Sequence, residues 1–191
     1  MQISKDIWND KNLIETIQKG GVVVMPTDTI YGICGRAEDK NTVERIYKIR
    51  KRNPEKPCII LISEIDELKK FSINITDEQR KILESFWNTK RATSIVLDCL
   101  DEKLRYLHRG TNSLAFRIPA SKTLQDLLFK TGSLIAPSAN TEGYPPSKNI
   151  LEAQNYFGNE VDLYIDGGEI FGQASKIIRL HNDETFSIIR E

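Results

Sequence analysis

Residues 21–57, GVVVMPTDTIYGICGRAEDKNTVERIYKIRKRNPEKP, decide the fold that we predict for this chain. Within them, VVVM at residues 22–25 is typical of a buried β-strand. Because every position of this run is apolar, we expect other layers to cover both faces of its sheet. The strand ends at a proline, and TDT at residues 27–29 then places two hydroxyls and a carboxylate at its end. Gly32 and Gly35 predict a turn beyond them.

A helix and a basic segment complete this stretch. Asn41 and Glu44 have the spacing of a capping box, so we predict a helix that begins near Asn41. Pro54 and Pro57 favour a loop beyond Arg52. On a helix face such a run of cations is usually solvated; its alternative role is to neutralise phosphates, which arginine binds through a planar fork. The cations of the segment are Lys48, Arg50, Lys51, Arg52 and Lys56.

The remaining sequence alternates between apolar runs and helical periodicity. Predicted strands occupy residues 58–62, 93–97, 113–118, 134–136, 161–165, 176–180 and 185–189. Predicted helices occupy residues 4–19, 64–71, 76–87, 121–132 and 149–157, with caps at Ser4, Thr76 (with Gln79), Ser121 and Asn149. This order predicts an α/β fold with an open, twisted, mixed parallel and antiparallel sheet and flanking helices. A length of 191 residues fits one domain over residues 1–191.

Charge and cysteine content narrow the function class. Lys+Arg and Asp+Glu both number 27, so attraction to nucleic acid requires a local patch rather than a global field. Cys34, Cys58 and Cys99 are widely spaced and odd in number, which predicts free thiols in a reducing cytoplasm and no zinc site. The polar N-terminus lacks the apolar core of a signal peptide, and no run is long enough to cross a membrane. We therefore expect a cytoplasmic protein without a membrane partner.

Motifs for covalent or cofactor chemistry are absent from the sequence. It contains neither a Walker nor a Rossmann phosphate loop, and no nucleophile motif. His108 and His181 have no partner at metal-ligand spacing, so both are interpreted as structural or solvated, and we predict no metal site in the protein. Binding and positioning of substrates are favoured over covalent catalysis.

Polar residues at predicted strand ends are the candidates for binding, because ligands of open α/β sheets bind there. Residues 27–29 offer groups for the hydroxyl or amine of an amino acid, and residues 138–140 (SAN) follow the strand at 134–136. Both segments are equally compatible with ordinary turn chemistry. Arg117 is a cation at the end of a strand whose apolar residues should be inside.

These segments resemble the YrdC-like family of threonylcarbamoyl-AMP synthases over nearly the whole chain. PTDTIYG, the basic segment ending in KP, FRIP, PSAN with PPS downstream, GGEIFGQAS and IIR occur in the order of the family. The resemblance implies a YrdC-like (RibB-like) open α/β fold with a large basic cavity. It implies a reaction of L-threonine, bicarbonate and ATP, with Mg2+ on the phosphates, to threonylcarbamoyl-AMP and pyrophosphate. This is the first step towards N6-threonylcarbamoyladenosine (t6A) in tRNA.

The resemblance also implies roles for individual residues. Arg50 and Arg52 are the implied catalytic residues. The implied threonine contacts are Thr29, Arg117, Ser138 and Ser175. The implied ATP contacts are Arg52, Lys56, Ser113, Asn140, Lys148 and Arg190. The implied partners are the downstream t6A-transfer proteins, with tRNA or double-stranded RNA as a further ligand.

Two departures from the family pattern keep alternatives open. Arg50 stands where the family has lysine, and Asn88 to Ala92 (NTKRA) replace a usual Pro-Gly-Pro. A non-synthase paralogue that binds nucleotide, tRNA or double-stranded RNA is therefore the alternative function. A carbamoyl-transfer domain of a hydrogenase-maturation protein is a third; such proteins carry zinc-finger cysteines and additional domains, which this sequence lacks.

Overall fold

A mixed sheet forms the centre of the molecule. The computed structural model describes residues 7–191. Its strands are β1 (Val23–Pro26), β2 (Tyr31–Arg36), β3 (Ile59–Leu61), β4 (Thr93–Asp98), β5 (Ser113–Arg117), β6 (Leu134–Ile135), β7 (Leu163–Tyr164), β8 (Lys176–Leu180) and β9 (Phe186–Arg190). Their spatial order is β7-β1-β2-β6-β3-β5-β4-β8-β9. The β1/β7, β3/β5 and β4/β8 pairs are parallel and the others antiparallel, which confirms the mixed open sheet.

Helices cover both faces of this sheet. They are α1 (Lys11–Gln18), α2 (Lys40–Arg50), α3 (Asp77–Trp87), α4 (Arg105–His108), α5 (Lys122–Thr131) and α6 (Ile150–Phe157). Short 3-10 segments occur at Ile7–Asn9, Ile65–Phe71 and Glu102–Leu104. None of the helices within residues 7–191 is long and apolar enough to cross a membrane.

Strand β1 shows why the sheet is covered on both sides. Val22 and Val24 belong to one buried cluster, with apolar side chains of α2, α3 and α6. Val23 and Met25 belong to the other, with apolar side chains of α1 and α5. Successive side chains of a strand point to opposite faces, so an all-apolar strand requires two layers. The expectation of cover on both faces is confirmed.

The turn predicted at Gly32 and Gly35 is wrong, because both residues belong to strand β2. It pairs antiparallel with β1 on one side and with β6 on the other. A Cβ at Gly35 would lie 2.3 Å from Cγ2 of Thr42 on α2. A glycine is required at this position because α2 packs closely on the strand. A single sequence does not show whether a glycine serves such a close contact or a turn.

Three of the predicted helix starts are correct. The Thr76–Gln79 capping box and the Ser121 and Asn149 caps are confirmed. The capping box at Asn41 is wrong, because the carboxylate of Asp39 accepts the hydrogen bonds of the first helical turn and α2 begins one residue earlier.

The first helix and a later helical segment differ from the prediction. The Ser4 cap lies outside the described residues, and α1 begins at Lys11 with Asp10 as its cap. The helical turns at Glu102–Leu104 and α4 were not predicted, because they carry little periodicity. Cys34, Cys58 and Cys99 are buried, and within residues 7–191 none forms a disulfide, as expected.

A buried carboxylate connects the segment after β3 to the start of β6. Glu67 accepts hydrogen bonds from the Ser63 backbone N–H (2.8 Å), the Ser63 hydroxyl and Ser133 Oγ (2.7 Å), and pairs with Lys70 Nζ (3.1 Å). Burial works to raise the pKa of Glu67, but the bonds from Ser63 and Ser133 outweigh it and the pKa is lowered. The ionised form therefore stabilises the fold.

Replacing Glu67 by glutamine is expected to lower the free energy of unfolding by about 2 kcal/mol at pH 7, since the amide offers one acceptor oxygen in place of two. Because the folded pKa is depressed, this stabilisation is present above the unfolded pKa of about 4.3 and is lost as the pH falls through the folded pKa. Urea unfolding at pH 7 and pH 3 measures both effects. Glu64→Gln, at an exposed position three residues earlier, is the matched control. Equal stability of the two variants at pH 7 would contradict the stabilising role of the Glu67 carboxylate.

Candidate functional site

The turn between β1 and β2 forms one side of a cavity. Thr27 organises the turn: its Oγ1 donates to the Ile30 carbonyl (2.8 Å) and accepts from the Thr29 N–H (3.2 Å). The hydroxyls of Thr27 and Thr29 lie 3.0 Å apart, and both residues line the cavity. Thr27 therefore has the turn role that threonine commonly fills, while Thr29 also presents its hydroxyl next to a buried arginine.

That arginine is Arg117, at the end of β5. Its Nη2 donates to Asp28 Oδ1 (2.9 Å) and to Thr29 Oγ1 (3.3 Å). The side chains of Arg117 and Asp28 are 4% and 5% exposed. The sequence suggested that Asp28 would hold a ligand; instead, its carboxylate is committed to Arg117 and to the Ala120 N–H (3.4 Å). Arg117 Nε is buried and finds no partner among residues 7–191, so the fold leaves this donor unused.

The loop after β6 is held by Arg50. Arg50 Nε donates to the Asn140 carbonyl (3.0 Å), and its Nη2 donates to Asn140 Oδ1 (3.0 Å) and Ser138 Oγ (3.3 Å). Asn140 Nδ2 in turn donates to the Thr141 (2.9 Å) and Tyr144 (2.8 Å) carbonyls. Ser138 lines the cavity, whereas Arg50 and Asn140 lie behind it.

The buried guanidinium of Arg50 is only partly hydrogen-bonded. Burial, and next the positive charge of Arg52, lower the pKa of Arg50 to about 10. Its Nη1 is buried and has no hydrogen-bond partner in the described part of the chain. The guanidinium is therefore still charged at neutral pH, with most of its donors used to position the 138–140 loop.

Arg52 is the cation of the basic segment that faces the cavity. It extends beyond α2, and its Nε and Nη2 donate to the Lys56 (3.1 Å) and Pro57 (2.9 Å) carbonyls. Lys56 does not line the cavity; its Nζ pairs with Glu142 Oε1 at 3.1 Å. Hydrogen bonding by the Asn53 N–H, and to a smaller extent by Lys56, lowers the pKa of Glu142, so this carboxylate is ionised at neutral pH.

Residues 165–175, here called the strap, close another side of the cavity. They have no regular secondary structure and connect β7 to β8. At their end Ser175 Oγ is hydrogen-bonded to Ser94 Oγ (2.9 Å), and the Ser175 carbonyl accepts from Arg190 Nε (3.1 Å) and Nη2 (2.7 Å). Burial, and next the charge of Arg117, lower the pKa of Arg190, so two cations approach each other here.

The cavity has a volume of about 180 Å³. It gathers predicted site residues from six parts of the chain: Thr29, Arg52, Arg117, Ser138, Ser175 and Arg190. It is basic, as the resemblance implied, but smaller than the roughly 300–1,000 Å³ of typical pockets for drug-sized ligands. Its enclosed part therefore suits an amino acid or a phosphate group rather than a whole nucleotide.

The remaining predicted residues lie elsewhere. Ser113 is at the start of β5, about 13 Å from Arg117 along the strand, so the fold does not bring it to the cavity. Lys148 lines a separate surface depression next to Glu152 and Tyr156. Residues 88–92 also lie to one side, where Lys90 and Arg91 line a shallow cavity beyond the strap and Arg91 pairs with Glu191 (3.4 Å).

The lining does not fit a metal ion held by the protein. No carboxylate lines the cavity among the described residues, and Asp28 is already paired with Arg117. Within residues 7–191 no group of three His, Cys, Asp or Glu side chains is arranged to hold a metal. Hydroxyls and guanidiniums alone are poor ligands for Mg2+, which prefers carboxylates, phosphates and water.

Two features of the site were not predicted from the sequence. Tyr31 lines the cavity and hydrogen-bonds the strap, although PTDTIYG was interpreted only through its threonines and aspartate. Gly172 contacts the backbone of Thr29 directly. The signal available was the GGEIFGQAS segment itself, whose glycines are compatible with close backbone approach.

Comparison with known proteins agrees with this architecture. The Sua5/YciO/YrdC family model, described as "Telomere recombination", matches residues 15–191. The threonylcarbamoyl-AMP synthase of Pyrococcus abyssi is 30% identical over 176 residues, which cover 91% of this chain and 51% of that protein. The chain thus spans about half the length of that relative. The uncharacterized protein YciO of Escherichia coli is 30% identical over 187 residues, covering 93% of this chain and 86% of YciO.

A solved structure carries the same fold. The structure of Pyrococcus abyssi Sua5 complexed with L-threonine superimposes with a TM-score of 0.83 at 27% identity, over 100% of this chain and 55% of that one. The family match covers most of the sequence, and the mixed sheet with its flanking helices is shared. This chain belongs to the Sua5/YciO/YrdC family.

Proposed function

We propose that residues 1–191 form one domain of a cytoplasmic L-threonylcarbamoyladenylate synthase, a nucleotidyltransferase that makes threonylcarbamoyl-AMP and pyrophosphate from L-threonine, bicarbonate and ATP for t6A in tRNA. The observation that carries the proposal is a cavity lined by hydroxyls and three arginines, Arg52, Arg117 and Arg190, without a carboxylate among its described lining residues. A buried cationic cavity favours anions, and both an amino-acid carboxylate and phosphates are anions.

The amino acid fits the side of the cavity formed by the β1–β2 turn. In the proposal, the donors of Arg117 that Asp28 and Thr29 leave unused bind the threonine carboxylate, while Asp28 holds the guanidinium in place. The hydroxyls of Thr29, Ser138 and Ser175 hold the polar groups of the amino acid. The relative from Pyrococcus abyssi was solved in complex with L-threonine, which supports this choice of substrate.

The phosphates of ATP fit the side formed by Arg52 and Arg190. The threonine amine attacks CO2 derived from bicarbonate and loses a proton, which gives a carbamate. A carbamate oxygen then attacks the α-phosphorus, the bond to the bridging oxygen breaks, and its electron pair leaves with pyrophosphate. Positive charge that is fixed in place stabilises the transferred phosphoryl group without a protein nucleophile. Mg2+ enters this proposal only as the counter-ion of the nucleotide.

Several implied contacts receive no support from the geometry. Lys56 is paired with Glu142, and neither Ser113 nor Lys148 lines the cavity. Asn140 is assigned to shaping the loop that carries Ser138, and Arg50 to holding that loop. The adenosine of ATP lies outside the enclosed volume in this proposal.

Replacing Arg52 by alanine is expected to lower threonine- and bicarbonate-dependent pyrophosphate release by about 100-fold or more, the usual effect of removing one preorganised transition-state donor. The assay supplies L-threonine, ATP, Mg2+ and bicarbonate and follows pyrophosphate together with the labile threonyl nucleotide. Lys40→Ala, which removes an exposed positive charge from the first turn of α2, is the control and should keep the wild-type rate. Equal rates in the two variants would contradict the role of Arg52.

Replacing Arg50 by lysine, the residue usual in the family, is expected to lower the free energy of unfolding by about 2 kcal/mol. One ammonium cannot donate to the Asn140 carbonyl and side chain in the fork geometry of a guanidinium. Urea unfolding measures the loss, with Arg105→Lys, at an exposed position at the start of α4, as the control. A stable variant with a changed rate would instead assign Arg50 directly to the chemistry.

A second function has one specific observation in its favour. Arg50 departs from the family lysine, and its donors are mostly committed to the 138–140 loop. A binding paralogue for nucleotide, tRNA or double-stranded RNA needs the basic concavity but not the chemistry. Absence of the threonyl nucleotide product, with RNA binding that weakens steeply with salt, would favour this alternative.

A further inference from the structure

The strap is fixed to strand β2 by one phenol. Tyr31 is fully buried, and its hydroxyl donates to the Gly168 carbonyl (2.8 Å) while accepting from the Gly167 N–H (2.8 Å). A phenol is a donor and an acceptor at once, so a single group satisfies two neighbouring peptide units of the strap. Burial raises the pKa of Tyr31, and although the Gly167 N–H opposes this effect, the phenol stays protonated at neutral pH.

The strap contacts the same turn at a second point. A Cβ built on Gly172 would lie 1.7 Å from the Thr29 carbonyl oxygen, so the two backbones touch and no side chain fits between them. Between these two points the Ile170 N–H donates to the Lys148 carbonyl at 2.8 Å. The strap is therefore held at two points where the β1–β2 turn leads into β2, at Thr29 and at Tyr31.

This attachment determines where the last residues of the strap lie. Two positions after Gly172, Ala174 and then Ser175 line the same cavity as Thr29. Ser175 is fixed further by Ser94 and Arg190, but its approach to Thr29 depends on the preceding strap. Sub-ångström errors in such a wall weaken the binding of a small substrate.

We propose that Tyr31 is a positioning residue for the amino-acid substrate: its phenol holds the strap against the β1–β2 turn and so sets the width of the cavity between Thr29 and Ser175. The inference rests on the proposed function, because it assigns the Thr29–Ser175 side of the cavity to threonine. On the phosphate side, Arg52 donates to carbonyls of its own segment, and Arg190 donates to the strap at Ser175, seven residues after Gly168.

Tyr31→Phe tests the proposal, since it removes the hydroxyl and keeps the ring. We expect the KM for L-threonine, and its Kd by calorimetry, to rise about five- to tenfold, as for the loss of one or two neutral hydrogen bonds. The KM for ATP should change less than twofold. Amide hydrogen exchange in residues 167–172 should become about tenfold faster, because the strap opens more easily.

Tyr164→Phe is the matched control. Tyr164 also donates its hydroxyl to a glycine carbonyl, that of Gly158 (2.7 Å), but this bond lies at the C-terminal end of α6 and not at the strap. The variant should leave both KM values and the exchange of residues 167–172 as in the wild type. Equal threonine KM in the two variants, or equal rises in the KM for threonine and for ATP in Tyr31→Phe, would overturn the inference.

Failure of the proposed function gives a different result. A wild-type protein that binds no threonine and forms no threonyl nucleotide would contradict that function, and with it the threonine assignment of the strap. Threonine binding by the wild type that Tyr31→Phe leaves unchanged would overturn only the role of Tyr31. Unchanged exchange of residues 167–172 would show that the phenol does not hold the strap.

Discussion

The structure of the site depends on one buried ion pair, between Arg117 and Asp28. It joins the end of β5 to the turn between β1 and β2. Strand β5 is not a neighbour of either of these strands in the sheet. Removing either partner would leave an uncompensated charge inside the protein, which costs more than an ordinary hydrogen bond. The pair also fixes which donors of Arg117 remain for a ligand. The same contact therefore holds the fold together at this point and defines the anion site.

The other walls of the cavity are arranged around this pair. Arg50 holds the loop that carries Ser138, and Arg190 holds the backbone that carries Ser175. In both cases a cation is used as a structural clamp on a loop that offers a hydroxyl. Arg52 differs, because it bonds only to carbonyls of its own segment. Positive charge at this site thus has two uses, to shape loops and to attract anions, and sequence resemblance alone does not separate them.

The sequence predicted what local chemistry determines. The capping box at Thr76 and the caps at Ser121 and Asn149 depend on residues within a few positions of one another. Strand β2 was not predicted because Gly35 was interpreted as a turn residue. The glycine is needed instead for the close approach of α2, which is a tertiary contact. For the site, the strand-end position of Arg117 was visible, but its pairing with Asp28 across the fold was not. The role of Tyr31 was hidden for the same reason, since its partners Gly167 and Gly168 lie far along the chain.

The position of Arg190 on β9 has a consequence for the order of folding. The cavity combines Thr29, from the turn after the first strand, with Arg190, from β9, the last strand of the described residues. During synthesis the N-terminal strands emerge long before β9, so the cavity stays incomplete until nearly all of these residues have left the ribosome. Contacts between such distant residues also slow folding, because long loops must close before the contacts form. A nascent chain therefore forms its sheet in stages, and its anion site is complete only after β9 has emerged.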